Sequence, residues 1–78
     1  MKIYRKDIEK LAETVKNCYE YKFPVYIDFN SYYGYSIYGI NEKKVPTSFL
    51  GISENERFTS RELWLILRAL LDVKRFNK

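Results

Sequence analysis

The stretch FPVYIDFNSYYGYSIYGI, residues 23–40, decides the fold. In its first half Val25, Ile27 and Phe29 alternate with Tyr26, Asp28 and Asn30. In its second half Tyr35 and Ile37 alternate with Ser36, Tyr38 and Ile40. β-Branched and aromatic side chains at period two spell strands. Asn30 and Ser31 supply the turn chemistry between them. The stretch therefore predicts two strands that pair antiparallel across a short connection. With Val25, Ile27, Tyr35 and Ile37 inward, Tyr26 and Tyr38 point outward, and Asp28 and Ser36 lie among them. Tyr35 then builds the core, and Tyr38 is the better candidate for binding. The pattern assigns no face to Tyr32 or Tyr33.

Upstream, one residue every 100° gathers Tyr4, Ile8, Leu11, Ala12, Val15, Cys18 and Tyr19 into a single apolar stripe. This predicts a helix over 4–20, with Asp7 a candidate N-cap and Pro24 a barrier beyond residue 22. Downstream, NEKKVP, residues 41–46, is a polar connection. TSFLGIS, residues 47–53, reads as a short third strand with Leu50 and Ile52 on one side and Phe49 on the other. Gly39 and Gly51 are expected to mark bulges or close packing. Thr59 and Glu62 have the spacing of a capping box, and Phe58 and Leu63 that of a hydrophobic staple. They predict a last helix over 59–75, with Lys74, Arg75 and Lys78 suiting its C-terminal dipole.

The order α-β-β-β-α, a three-stranded antiparallel sheet and two amphipathic helices predict a two-layer α+β sandwich. Both helices cover one face of the sheet and the other face is open. Residues 1–78 make a single domain. A chain this short buries only about 60% of its unfolded surface, so its core is small.

Composition excludes several kinds of chemistry. No histidine is present, which removes the commonest general base and metal ligand. The single cysteine, Cys18, rules out an internal disulfide and a Cys-rich zinc site. It lies on the apolar stripe of the first helix, where an inert thiol is expected. Neither a phosphate-cradling glycine pattern nor a convergent carboxylate pair occurs. The chain is read as no enzyme, with no cofactor, no metal and no small-molecule substrate. The longest apolar run, LWLIL at 63–67, is too short to span a bilayer, and the lone thiol suits the cytoplasm.

What remains is surface. On the last helix Leu63, Ile66, Leu67, Leu70 and Val73 form the expected core arc. Trp64 and Leu71 sit on one flank, and Leu65 falls within the polar stripe of Arg61, Arg68, Asp72 and Arg75. Tyr26, Tyr38 and Phe49 are the rings expected on the open sheet face. Tyr26, Tyr38, Phe49, Trp64, Leu65 and Leu71 are therefore the candidate partner-binding residues, for a protein partner or a second copy. The element order resembles that of some small anti-CRISPR proteins, which implies a phage or mobile-element inhibitor of host machinery. It is also that of the double-stranded-RNA-binding domain, whose last helix starts with lysines. Here that position reads FTSRELW, with Arg57 and Arg61 nearby. The alternative function is thus nucleic-acid binding through the aromatic face with Lys43, Lys44, Arg57 and Arg61.

Overall fold

Alternation at period two produces the expected hairpin. The computed structural model of the protein describes residues 2–76. Its elements are α1 (Arg5–Cys18), β1 (Val25–Asn30), β2 (Gly34–Ile40), β3 (Pro46–Thr47) and α2 (Ser60–Phe76). Lys78 lies outside the described residues. The strands form one antiparallel sheet in the order β1-β2-β3. Tyr26 stands opposite Tyr38, Ile27 opposite Ile37, and Asp28 opposite Ser36.

The fold is α+β, as the pattern predicts. Ile8, Ala12 and Val15 of α1 and Leu63, Leu67 and Leu71 of α2 join Ile27 and Ile37 in one core. The shortest dimension is 18 Å, which suits one helical layer on one sheet at about 10 Å per layer. Tyr26 is 51% exposed on the uncovered face.

The start and end of α1 and the start of α2 each have an identifiable cause. Thr59 and Glu62 form the predicted box: the Thr59 N–H donates to Glu62 Oε1 at 2.8 Å, and the Glu62 N–H to Thr59 Oγ1 at 3.1 Å. Asp7 is not the N-cap of α1. It sits in the first turn, where its carboxylate accepts from the Tyr4 N–H at 3.1 Å. α1 stops at Cys18 rather than at residue 20, because Glu20 turns left-handed at φ 53°. The Tyr21 N–H then donates to the Lys16 carbonyl at 3.0 Å and the Glu20 N–H to that of Asn17 at 3.2 Å. That pair of bonds is a Schellman ending, which usually carries glycine at the left-handed position. A side chain there costs about 1–2 kcal/mol, partly offset by the greater freedom of an unfolded glycine. Glu20→Gly is accordingly expected to raise stability by about 0.5–1 kcal/mol. A higher urea midpoint with an unchanged slope is the measurement that checks it.

The predicted third strand is not where the alternation put it. β3 is only Pro46–Thr47, paired with Ile40 and Gly39. Residues 49–52 fold into a tight turn of their own. Phe49 and Ile52 exchange backbone hydrogen bonds of 3.0 and 2.9 Å, with Leu50 and Gly51 at positive φ between them. The turn puts Phe49 and Ile52 on the same side, whereas a strand would put them on opposite sides. Phe49 is 0% exposed and is the largest fully buried side chain, so it is not a partner-binding residue. The first half of β2 finds a different neighbour. Tyr35 bridges to Phe58, with N–H···O distances of 2.7 and 2.8 Å in the two directions.

Tyr21 closes the core beyond Phe49. Its ring stands edge-on to Phe49 at 4.9 Å, and its hydroxyl donates to the Ser48 carbonyl at 3.0 Å. A Cβ on Gly39 would run into this ring, so close packing is the reason for that glycine. Burial pushes the Tyr21 phenol above its ordinary 10.0. A raised folded value means that ionisation opposes folding, so its stabilising effect is complete below that ordinary value. The effect is lost as pH climbs through the raised value. The urea midpoint is expected to fall from about pH 9 to about pH 11, and less so in Tyr21→Phe.

Candidate functional site

Of the six candidate partner-binding residues, the structure pairs Tyr26 with Tyr38 on the sheet, and gathers Phe49, Leu71 and Trp64 in or against the core. The Tyr26 and Tyr38 rings stack at 6.2 Å with planes 26° apart on the open face of the sheet. Leu65 is exposed on α2, and Trp64 is half-buried against the core. Leu71 is 2% exposed and belongs to the core, so it too is not a contact residue. The buried ridge of α2 is Leu63, Leu67 and Leu71. At 100° per residue the helix is rotated by about 60° from the expected arc. That arc assumed a helix resting on a sheet alone. α2 packs closely on α1 as well, which draws Leu71 inward and leaves Val73 52% exposed.

The four basic candidates do not gather. Lys43 and Lys44 lie in the connection between β2 and β3. There Asn41 Oδ1 accepts from the Lys43 N–H at 2.9 Å and the Val45 N–H at 3.1 Å. Arg57 lies beside the start of β2, about 20 Å away along a seven-residue strand. Its guanidinium crosses the open face, where Nη1 donates to Ser36 Oγ at 3.2 Å and lies 4.0 Å from Asp28. This cover explains why Ser36 is buried on an otherwise open face. Arg61 is exposed on the first turn of α2.

The pattern missed the end of the hairpin. Asn30 Oδ1 accepts from the Tyr32 N–H at 2.8 Å and the Tyr33 N–H at 3.1 Å. This Asx turn holds the backbone while both side chains project. Tyr32 is 91% exposed and Tyr33 69%, with ring centroids 6.4 Å apart. Phe29, expected inward, is 49% exposed. It shares the inward face with Ile27 but is left half uncovered, against Tyr35 at 4.8 Å. Phe29, Tyr32, Tyr33, Tyr35, Arg57 and Phe58 line a shallow groove of about 370 Å3. The signal was present in the sequence as NSYYG, residues 30–34, a turn that displays what it carries.

The hairpin side of this surface is aromatic and almost uncharged, while Arg57 and Glu62 line its opposite wall. Residues 23–41 carry one charged side chain, Asp28, and no lysine or arginine. Among the described residues no group of three or more His, Cys, Asp or Glu could hold a metal ion. No helix among them is long and apolar enough to cross a membrane. Comparison with protein-family models, with curated proteins and with solved structures found no match to this chain.

Proposed function

We propose that this protein is a non-catalytic binding module that docks on a larger protein through the tyrosine-rich end of its hairpin. The observation that carries the reading is the pair Tyr32 and Tyr33, 91% and 69% exposed on a hydrogen-bonded turn. Tyrosines on an ordered backbone offer large contact area at small entropic cost, and they are enriched at interface centres. The adjoining Phe29 extends the apolar contact.

The scarcity of cations favours protein over nucleic acid. Phosphate contact needs lysine or arginine near the rings. Arg57 is the nearest and is engaged with Ser36 and Asp28. An inhibitor of host machinery would use such a surface by occupying a site on its target; the support for that role is element order alone. Cys18, a free thiol, supports a reducing compartment such as the cytoplasm.

A photo-crosslinking residue at Tyr32, compared with one at the exposed Thr14 of α1, tests the reading in the producing cell. A discrete protein adduct from position 32 alone is the expected result. Equal adducts from both positions, or none, would sink it. Tyr32→Ala combined with Tyr33→Ala is expected to leave stability within about 0.5 kcal/mol, as for surface changes generally. A loss above about 1 kcal/mol would make these rings structural. Tight binding of labelled nucleic acid that weakens steeply between about 50 and 200 mM salt would replace the reading with the alternative.

A further inference from the structure

The two edges of the sheet differ. β3 is two residues long and begins with Pro46, which has no N–H to offer, so that edge is blunted. β1 is the other edge, with six residues and no proline. The Ile40 N–H donates to the Pro24 carbonyl at 3.0 Å, which fixes the phase of the ladder. In steps of two from Pro24, the backbone groups of Tyr26, Asp28 and Asn30 face β2. Those of Val25, Ile27 and Phe29 therefore face outward. Among the described residues one side chain reaches them: Arg5 Nη2 donates to the Ile27 carbonyl at 2.7 Å. Arg5 is exposed and begins α1. A flexible side chain thus holds the middle of the edge, and the N–H groups on either side stay open.

α1 leaves a cavity of about 230 Å3 against Val25 and Ile27. Glu9 and Glu13, one helical turn apart, line its other wall with Arg5. The cations paired with these carboxylates, Arg5 and Lys16, stand 3.9 and 4.0 Å away, too far for short charge-assisted hydrogen bonds. Carboxylates outnumber cations in this lining, in a chain of net charge +4.

We infer that the β1 edge takes an extended segment of a protein partner as a fourth, antiparallel strand, with lysine or arginine side chains on the segment's α1 side. Hydrogen bonding argues for the extended segment. Outward N–H and C=O groups at every second residue are the complement of another strand. Charge argues for the basic side chains. Those opposite Val25, Ile27 and Phe29 share their side of the sheet, where Glu9 and Glu13 are free to accept from an ammonium or guanidinium group. Arg5 leaves the Ile27 carbonyl when the segment arrives and falls back on Glu9. Until then it covers the edge against unwanted pairing. This edge is a different surface from the tyrosines of the hairpin turn, and either can fail without the other.

The probe is a capped hexapeptide of alternating valine and lysine, titrated to about 1 mM, a range for weak binding, into isotopically labelled protein. The expected result is movement of the Val25, Ile27 and Phe29 amide resonances, with those of Tyr32 and Tyr33 unmoved. In the antiparallel pairing the lysine N–H groups point at β1 and the valine N–H groups point away. N-Methylation of the lysines is therefore expected to abolish binding, and N-methylation of the valines to spare it. Glutamate in place of lysine is expected to abolish it too. Arg5→Ala is expected to tighten binding about fivefold, the equivalent of one ordinary hydrogen bond. Glu9→Gln combined with Glu13→Gln is expected to bind the lysine and glutamate peptides alike. Unmoved edge amides, equal binding of the two peptides to the native protein, or equal effects of the two methylations would overturn the inference. Movement of the same three amides with protein concentration alone would make the occupant a second copy, and would overturn it as well.

Discussion

Phe49→Ala is expected to destabilise the protein by about 3–5 kcal/mol, the range for truncating a fully buried phenylalanine. A 78-residue domain has only about 4–12 kcal/mol in total, so much of the population would unfold at modest urea. The ring is 0% exposed and holds Tyr21 edge-on at 4.9 Å. It lies in one buried cluster with residues of both helices and of β1 and β2, so its truncation leaves a cavity that close-packed neighbours fill only in part. Equilibrium urea unfolding followed by far-ultraviolet circular dichroism measures the loss. A cost below about 1 kcal/mol would place Phe49 at the surface, as strand alternation had it. Phe49→Leu, which keeps most of the volume, is expected to cost less.

Gly34→Ala is expected to cost about 3 kcal/mol, by a different route. Gly34 has φ +86°, where an alanine loses about 1–2 kcal/mol. Its Cβ would also meet the Phe58 carbonyl and backbone. That carbonyl accepts the Tyr35 N–H at 2.7 Å, so relieving the clash weakens a bridge whose two hydrogen bonds contribute about 1 kcal/mol each. Gly51 separates the two effects. It has nearly the same φ, +87°, but nothing lies within 4 Å of a Cβ built there. Gly51→Ala is thus expected to show the conformational cost alone. Equal losses in the two variants would remove the steric argument. Gly34→Ala would also shift Phe58 and Tyr35, two walls of the groove, and is therefore expected to weaken the proposed docking where Gly51→Ala does not.

Both predictions fall in places that local patterns read incompletely. Period two between residues 25 and 38 correctly separated Ile27 and Ile37 from Tyr26 and Tyr38, because a strand leaves its side chains only two directions. The same rule failed at residues 49–52. Leu50 takes a left-handed conformation that its side chain disfavours, held there by the two Phe49–Ile52 backbone hydrogen bonds and by the burial of both residues on one side. Glu20 likewise ended α1 early against its own preference. On α2 the amphipathic arc was legible, but its aim was not, since the arc is wide enough to serve a sheet, a neighbouring helix or both.

The sequence by itself determined the element order, the hairpin faces and the capped start of α2. Each of these follows from side chains within about four positions of one another, through hydrogen bonding, periodicity or turn chemistry. Tertiary structure alone decided that Phe49 and Leu71 are buried. It alone left Phe29, Tyr32 and Tyr33 uncovered. Burial depends on where helices stop relative to the sheet beneath them, and that is set by packing between residues distant in the chain. Phe29, Tyr32 and Tyr33 stand beside the start of α2 without being covered by it, so these rings remain in solvent.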